Sequence, residues 1–139
     1  MTTSTKTPVQ IIQELIALHT TRKEVVQKMT AKEHGEDLGD LKEKLLSAAK
    51  QSDEFIVSLM NELSNYGDGV SPMVERGNEY QQTWKNALAK IDTASPDELK
   101  EIFELLEDHL RKFYETIFST QADLPQSIEE MLQKQASLL

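Results

Sequence analysis

The chain has 139 residues, of which 38% are hydrophobic, so it can bury a core as one domain over residues 1–139, with 1–7 as a flexible N-terminus. Its net charge of −9 argues against nucleic-acid binding, and the absence of cysteine excludes disulfides and thiolate metal sites. No apolar run approaches the roughly 20 residues that span a membrane, and the first residues lack a signal peptide's apolar stretch, so we expect a soluble cytoplasmic protein.

Proline occurs only where a helix can begin. In the first turn of a helix the N–H that proline lacks would have no partner anyway, so proline is tolerated there. The four prolines therefore divide the chain into helices and interrupt none of them. They stand in the pairs Thr7-Pro8, Ser71-Pro72, Ser95-Pro96 and Leu124-Pro125.

The first predicted helix begins at Pro8 and ends near Gly35. Thr7 and Gln10 form a capping box, in which each side chain binds the other residue's backbone N–H. Apolar residues then recur at spacings of three and four, which places them on one helix face. They are Ile11, Leu15, Leu18, Val25 and Met29.

The second predicted helix runs from Asp37 to about Tyr66, on the order of 45 Å at 1.5 Å per residue. Ser52 lies on its apolar face, where a small side chain permits a neighbouring helix to approach closely. The apolar residues of this face are Leu38, Leu41, Leu45, Ala48, Phe55, Leu59 and Leu63.

The third segment allows two interpretations. A helix that starts at Pro72 would contain Gly77 at a cost of roughly 1 kcal/mol. A helix that starts at Asn78 uses Gln81 as a second capping signal, and we favour irregular backbone over 67–77 followed by this helix from about 78 to 92. The buried face is the same in both cases and consists of Tyr80, Trp84, Leu88 and Ile91.

The fourth helix has the clearest start. Ser95 and Glu98 form a capping box around Pro96, and acidic residues occupy the positive end of the helix dipole. Its core face consists of Leu99, Ile102, Phe103, Leu106, Leu110, Phe113 and Ile117.

A short fifth helix is expected after Pro125. Its apolar side consists of Ile128, Met131, Leu132 and Leu138. Met131, Leu132, Leu138 and Leu139 offer an exposed apolar face for contacts with a partner.

Amphipathic helices with short connections predict an all-α protein, a four-helix bundle with a short C-terminal fifth helix. Two topologies remain open. A third helix from Pro72 leaves a short loop and an up-down-up-down bundle. A third helix from Asn78 leaves about eleven extended residues, which reach roughly 36 Å and suffice for a ferritin-type crossover.

Several short motifs extend over nearly the whole chain. They are Ile12-x-x-Leu15-Ile16, Ser52-x-x-Phe55-x-x-x-Leu59, Gly77 before Trp84-Lys85, Glu104-x-x-Glu107-Asp108 before Tyr114, and Leu124-Pro125. In these motifs the chain resembles the uncharacterised bacterial ferritin-like four-helix-bundle proteins, a domain family of unknown function. The resemblance implies a ferritin-like architecture with the crossover, and it implies no activity.

The metal motif of di-iron bundles is missing. Those bundles use Glu-x-x-His on two helices, and none of the three histidines, His19, His34 and His109, has glutamate three residues before it. We therefore predict no metal, cofactor or catalytic residue, and we expect the histidines at the surface or the core boundary. If a metal is held, the candidate ligands are Glu104, Glu107 and His19.

Arg22 is the most informative polar residue, because it falls between Leu18 and Val25 in the apolar stripe of the first helix. One interpretation is a side chain at the rim whose charged end reaches water. The other is a structural ion pair with Glu107 or Glu104 inside the bundle, and a cation there would repel a metal.

Two functions follow from this sequence. The first is a non-enzymatic helical bundle that acts through self-association or by binding a protein partner, with no role for nucleic acid or membrane. The alternative is an atypical or degenerate ferritin-like di-metal carboxylate protein with a role in stress.

Overall fold

A computed structural model of the protein describes residues 7–31, 39–66, 79–120 and 124–139. These residues are helical apart from short turns and contain no strand, so the predicted all-α class is confirmed. The helices are α1 (Pro8–Ala31), α2 (Asp40–Ser64), α3 (Glu79–Ile91), α4 (Pro96–Thr120) and α5 (Gln126–Ser137). No helix among these residues is long and apolar enough to cross a membrane.

Both strong start signals form the capping boxes that the sequence predicts. The Thr7 N–H donates to Gln10 Oε1 over 2.9 Å, and the Gln10 N–H donates back to Thr7 Oγ1 over 3.1 Å. Ser95 and Glu98 make the same exchange at the start of α4, over 3.2 and 3.3 Å. These exchanges satisfy N–H groups that the first turn of a helix leaves unpaired.

The other helix ends agree less closely with the sequence. The helix α2 begins at Asp40, directly after Gly39 with its φ of 57°, rather than at Asp37. The helix α3 begins at Glu79, which matches the favoured start near Asn78. The predicted irregular stretch 67–77 and the first-helix end near Gly35 lie outside the described residues.

One continuous apolar core joins the helices, and α1 is at its centre, packed against α2, α3 and α4. All the apolar residues predicted for the inner face of α1 are buried, as are Phe55, Trp84, Leu106 and Phe113. Leu88, Ile102 and Met131 are half-buried. Leu138 is 57% exposed, as the apolar face predicted near the end of α5 requires, whereas Leu132 of the same face is fully buried. Leu38 and the side chain of Tyr80 lie outside the described part.

Helix directions alternate along the chain. His19 packs edge-on against Phe55, whereas Arg22, one turn later, hydrogen-bonds to Gln51, so α2 runs antiparallel to α1. On α4 the partners of the same two residues are Tyr114 and Glu107, so α4 is also antiparallel to α1. The helices α2 and α4 are therefore parallel to each other.

The direction of α3 follows from the contacts at its C-terminal end. Lys28, near the end of α1, pairs with Asp92, just past the end of α3, and a tight turn leads from there into α4. The helix α3 therefore runs parallel to α1, and it begins at the same end of the bundle at which α2 finishes. This is an up-down-up-down order, and it corrects the crossover that the resemblance implies, because a crossover requires those two points at opposite ends.

Candidate functional site

Polar side chains from four helices meet inside the protein. We call them the interior polar cluster: His19 and Arg22 on α1, Ser52 on α2, Glu107 and Tyr114 on α4, and Gln135 on α5. All are buried except Glu107, whose side chain is 16% exposed. Buried polar groups cost free energy unless they are paired, so the pairing decides what the cluster does.

Arg22 forms the ion pair that one interpretation of the sequence predicts. Its Nε donates to Glu107 Oε2 over 2.9 Å, and its Nη2 donates to Oε1 over 2.5 Å, which makes the pair bidentate. Its Nη1 donates to Ser52 Oγ over 3.1 Å and to Gln51 Oε1 over 2.9 Å. The guanidinium therefore ties α1 to both α2 and α4, and Glu104 takes no part in this pair.

A line of hydrogen bonds continues from Ser52 to α5. Ser52 Oγ lies 2.9 Å from His19 Nδ1, and His19 Nε2 lies 2.8 Å from the Tyr114 hydroxyl. That hydroxyl donates to Gln135 Oε1 over 2.7 Å, so it accepts from His19. His19 then carries its proton on Nε2, and its Nδ1 accepts from Ser52, which in turn accepts from Arg22. In every hydrogen bond of this line the donor is the group nearer to Arg22 and the acceptor is the group nearer to Gln135.

This environment keeps His19 neutral. Burial, and secondarily the charge of Arg22, lower the pKa of His19 to about 3. Burial also raises the pKa of Tyr114, while Arg22 acts weakly in the opposite direction. At physiological pH the line from Ser52 to Gln135 is therefore uncharged, and the Arg22–Glu107 pair supplies the charges of the cluster.

A groove of about 940 Å³ opens on the outer side of this cluster, between α2 and α4. We call it the α2–α4 groove. Its floor contains the apolar side chains of Leu41, Ala48 and Phe103 and the polar atoms of Arg22 and Glu107. Exposed charged residues line its two edges: Asp40, Glu43 and Lys44 on α2, and Lys100, Glu104 and Arg111 on α4.

The inner end of the groove is closed by the end of α5. Gln51 Nε2 donates to the carbonyl of Leu138 over 3.0 Å, and Arg111 Nε donates to the carbonyl of Leu139 over 3.1 Å. Because Gln51 Oε1 also accepts from Arg22, a single amide links the interior polar cluster to α5. Leu138 is exposed because it faces this open groove instead of the core.

The candidate metal ligands do not converge. Glu107 is occupied by Arg22, both ring nitrogens of His19 are hydrogen-bonded, and Glu104 lies exposed at the groove edge. Within residues 7–31, 39–66, 79–120 and 124–139, no group of three or more His, Asp or Glu residues could hold a metal ion.

The expected surface position of the histidines is wrong for His19, which is fully buried. The spacing indicates a buried position, because His19 follows Leu15 by four residues and precedes Arg22 by three, which places it in the apolar stripe. His109 is half-buried, as a boundary residue would be, and His34 lies outside the described residues.

The roles of Tyr114 and Gln135 were not predicted from the sequence. Both occupy stripe positions, since Tyr114 follows Leu110 by four residues and Gln135 follows Leu132 by three. A polar group at a core position of one helix indicates a polar partner on another helix, and that rule would have found both.

Comparison of the chain with protein-family models, with curated proteins and with solved structures finds no match. The geometry of the cluster and the groove is therefore the basis for any assignment of function.

Proposed function

We propose that the protein is a non-enzymatic helical module that acts by binding a partner protein or a second copy of itself, and that the α2–α4 groove is its binding surface. The observation that carries this proposal is the groove itself. It is about 940 Å³ in volume, and its floor combines apolar side chains with the Arg22–Glu107 pair between charged edges. Among the described residues it lies open beside a helix that already fills the rest of the cleft. A concave surface that combines apolar contacts with placed polar groups is typical of a binding site.

The interior polar cluster supports a structural interpretation over a catalytic one. A general base needs a free lone pair within reach of a substrate, but both nitrogens of His19 are engaged and the residue is fully buried. The Ser52 hydroxyl is buried as well and is held between His19 and Arg22. The cluster thus supports the groove by fixing α2 and α4 to α1.

We include a ferritin-like ancestry in the proposal, and its support consists of the short motifs quoted above. The helical content agrees with it, whereas the alternating helix directions count against it. In the metal alternative, carboxylates would have to take the place that the Arg22 guanidinium occupies beside Glu107. No contact among the described residues favours that alternative.

Site-specific photo-crosslinking in the cells that produce the protein tests the binding function. A photoreactive amino acid at Ser47, an exposed residue of the groove, should give a covalent adduct with a partner or a second copy. The matched control is Val57, which is 60% exposed on α2 but lies outside the groove. Adducts at both positions, or at neither in a chain that light scattering shows to be monomeric, would rule out the groove as the binding surface.

A further inference from the structure

We propose that the occupant of the α2–α4 groove is an amphipathic helix of a partner protein, bound antiparallel to α2 and α4 as a collinear continuation of α5. This inference rests on the proposed function and adds the form, direction and charge pattern of the partner. Three independent features of the described residues support it: the shape of the cleft, the dipoles of its walls and the charges along its edges.

The helix α5 shows what the cleft between α2 and α4 accepts. It buries Ile128, Leu132 and Gln135 against the cleft and exposes its other side. Gln135 meets Tyr114, and Leu139 meets Arg111 further along, so α5 runs antiparallel to α4. The cleft therefore already holds one amphipathic helix in the proposed orientation, with apolar anchors four residues apart.

The open part of the cleft has the dimensions of a further helical segment. It extends along α2 from Gln51 to Asp40, a rise of about 17 Å at 1.5 Å per residue. Half of a helix of that length, with a diameter of about 10–12 Å including side chains, occupies about 650–950 Å³. The groove measures about 940 Å³, so it can take the inner half of some three helical turns.

The dipoles of the surrounding helices select the direction. Because α2 and α4 are parallel, their positive N-terminal ends, at Asp40 and Pro96, lie at the same outer end of the groove. A helix antiparallel to both places its negative C-terminal end there. Its positive N-terminal end then faces the last carbonyls of α5, those of Leu138 and Leu139.

The charges on the edges specify the side chains of the partner. Because Gln51 and Glu107 both bind Arg22, Lys100 on α4 lies level with Lys44 on α2, one turn inward from Asp40, and Glu104 lies one further turn inward. A complementary helix carries, on its α2 side, an acidic residue followed one turn later by a basic one. On its α4 side it carries a basic residue followed one turn later by an acidic one, and this acidic residue is level with the acidic residue of the α2 side.

Two synthetic peptides provide the test. Both are three-turn helices with leucines spaced by three and four residues. The matched peptide carries the four flanking charges derived above, and the mirrored peptide carries the same charges inverted. In titrations of the isotope-labelled full chain, the matched peptide should shift the backbone amide signals of residues 40–51 and 100–111. It should bind at least about tenfold more tightly than the mirrored peptide.

A charge-swapped protein provides the control. The variant Asp40→Lys/Lys44→Glu/Lys100→Glu/Glu104→Lys changes only exposed groove-edge residues, and its circular dichroism should match that of the parent. It should prefer the mirrored peptide by a similar factor, because the groove is otherwise unchanged. Retention of the original preference in a folded variant would overturn the assigned charge pattern.

The other outcomes also decide between the possibilities. Equal affinity for both peptides would refute the charge pattern, and shifts in the signals of α5 would mean that the peptide displaces α5 instead of extending it. A chain that dimerises through residues 40–51 would identify the occupant as a second copy.

If Ser47 crosslinks to a partner while neither peptide binds, the binding function holds and the helical occupant is wrong. If crosslinking and both peptides fail, both proposals fall.

Discussion

The Arg22 guanidinium and the Glu107 carboxylate face each other across the α1–α4 interface and share two hydrogen bonds. Arg22 is nearly inaccessible to water, and its remaining contacts go to Gln51 and Ser52 on α2. This pair therefore holds three helices in register. It also predicts which substitutions the interior tolerates.

Removing Arg22 alone should be far more costly than removing the whole pair. Arg22→Met leaves the Glu107 carboxylate without its counter-ion and should lower the free energy of unfolding by about 3–5 kcal/mol. Arg22→Met combined with Glu107→Gln should recover much of that loss. Urea denaturation of both single variants and of the double variant measures the coupling.

The exposed pair Lys112–Asp108, at 3.0 Å, is the matched control, and Lys112→Met should cost at most about 1 kcal/mol. If the effects of the Arg22 and Glu107 substitutions are simply additive, the two residues are not energetically coupled.

Acid should destabilise the protein through His19. The pKa of His19 is about 3 in the folded protein and about 6.5 in an unfolded chain, so the unfolded state binds the proton first. The stabilisation is complete above pH 6.5 and is lost as the pH falls toward 3. Between pH 7 and pH 5 the free energy of unfolding should drop by about 2 kcal/mol because of this residue.

Urea titrations at the two pH values should show this drop in the parent and in a His109→Asn control, and only a small drop in His19→Gln. The histidine ring signals provide a second measurement. An imidazole signal of His19 that titrates near pH 6 in the folded protein would contradict the neutral, buried assignment.

Loss of the Tyr114 hydroxyl should weaken the attachment of α5. In Tyr114→Phe the Nε2–H of His19 and the Oε1 of Gln135 lose their partner inside the protein, at a cost of about 1–3 kcal/mol. Thermal unfolding should register this loss, and amide exchange across α5 should accelerate more than exchange across α1. The variant Tyr66→Phe, at a residue 39% exposed, should leave both measurements almost unchanged.

The inner face of α4 can be tested with two adjacent leucines. Leu106 is fully buried and Leu105 is 52% exposed, so their truncation to alanine should differ in effect although the chemical change is identical. Leu106→Ala should cost about 2–5 kcal/mol, and Phe113→Ala about 3–5 kcal/mol. Leu105→Ala should remain within about 0.5 kcal/mol of the parent in urea denaturation.

The sequence predicted most accurately what depends on neighbours within one helix. The capping boxes at Thr7 and Ser95 and the apolar stripe of α4 are local patterns, and all three are confirmed. Arg22 was informative because a charge at a stripe position requires a partner across the bundle. The acidic residues of α4 then limited the choice to Glu104 and Glu107.

What depends on several helices at once was not predictable from these patterns. The direction of α3 follows from contacts such as Lys28–Asp92, which no periodicity encodes. His19 does not complete the metal motif, and its expected place was therefore the surface or the core boundary. Its position in the apolar stripe of α1 indicates the interior instead. The burial of Leu132 beside an exposed Leu138 depends on the space between α2 and α4, which only the packed helices define.

The line of hydrogen bonds from His19 to Gln135 also constrains how the protein matures on the ribosome. The helix α1 is made before α4, so Tyr114 is synthesised 95 residues after His19, and Gln135 follows 21 residues after Tyr114. At about 5–20 residues per second, translation needs roughly 1–4 s for that last interval alone. During that interval the Tyr114 hydroxyl lacks Gln135, the residue to which it donates in the folded protein. Nascent chains stalled between Tyr114 and Gln135 should therefore be cleaved by proteases more readily than chains extended past Gln135.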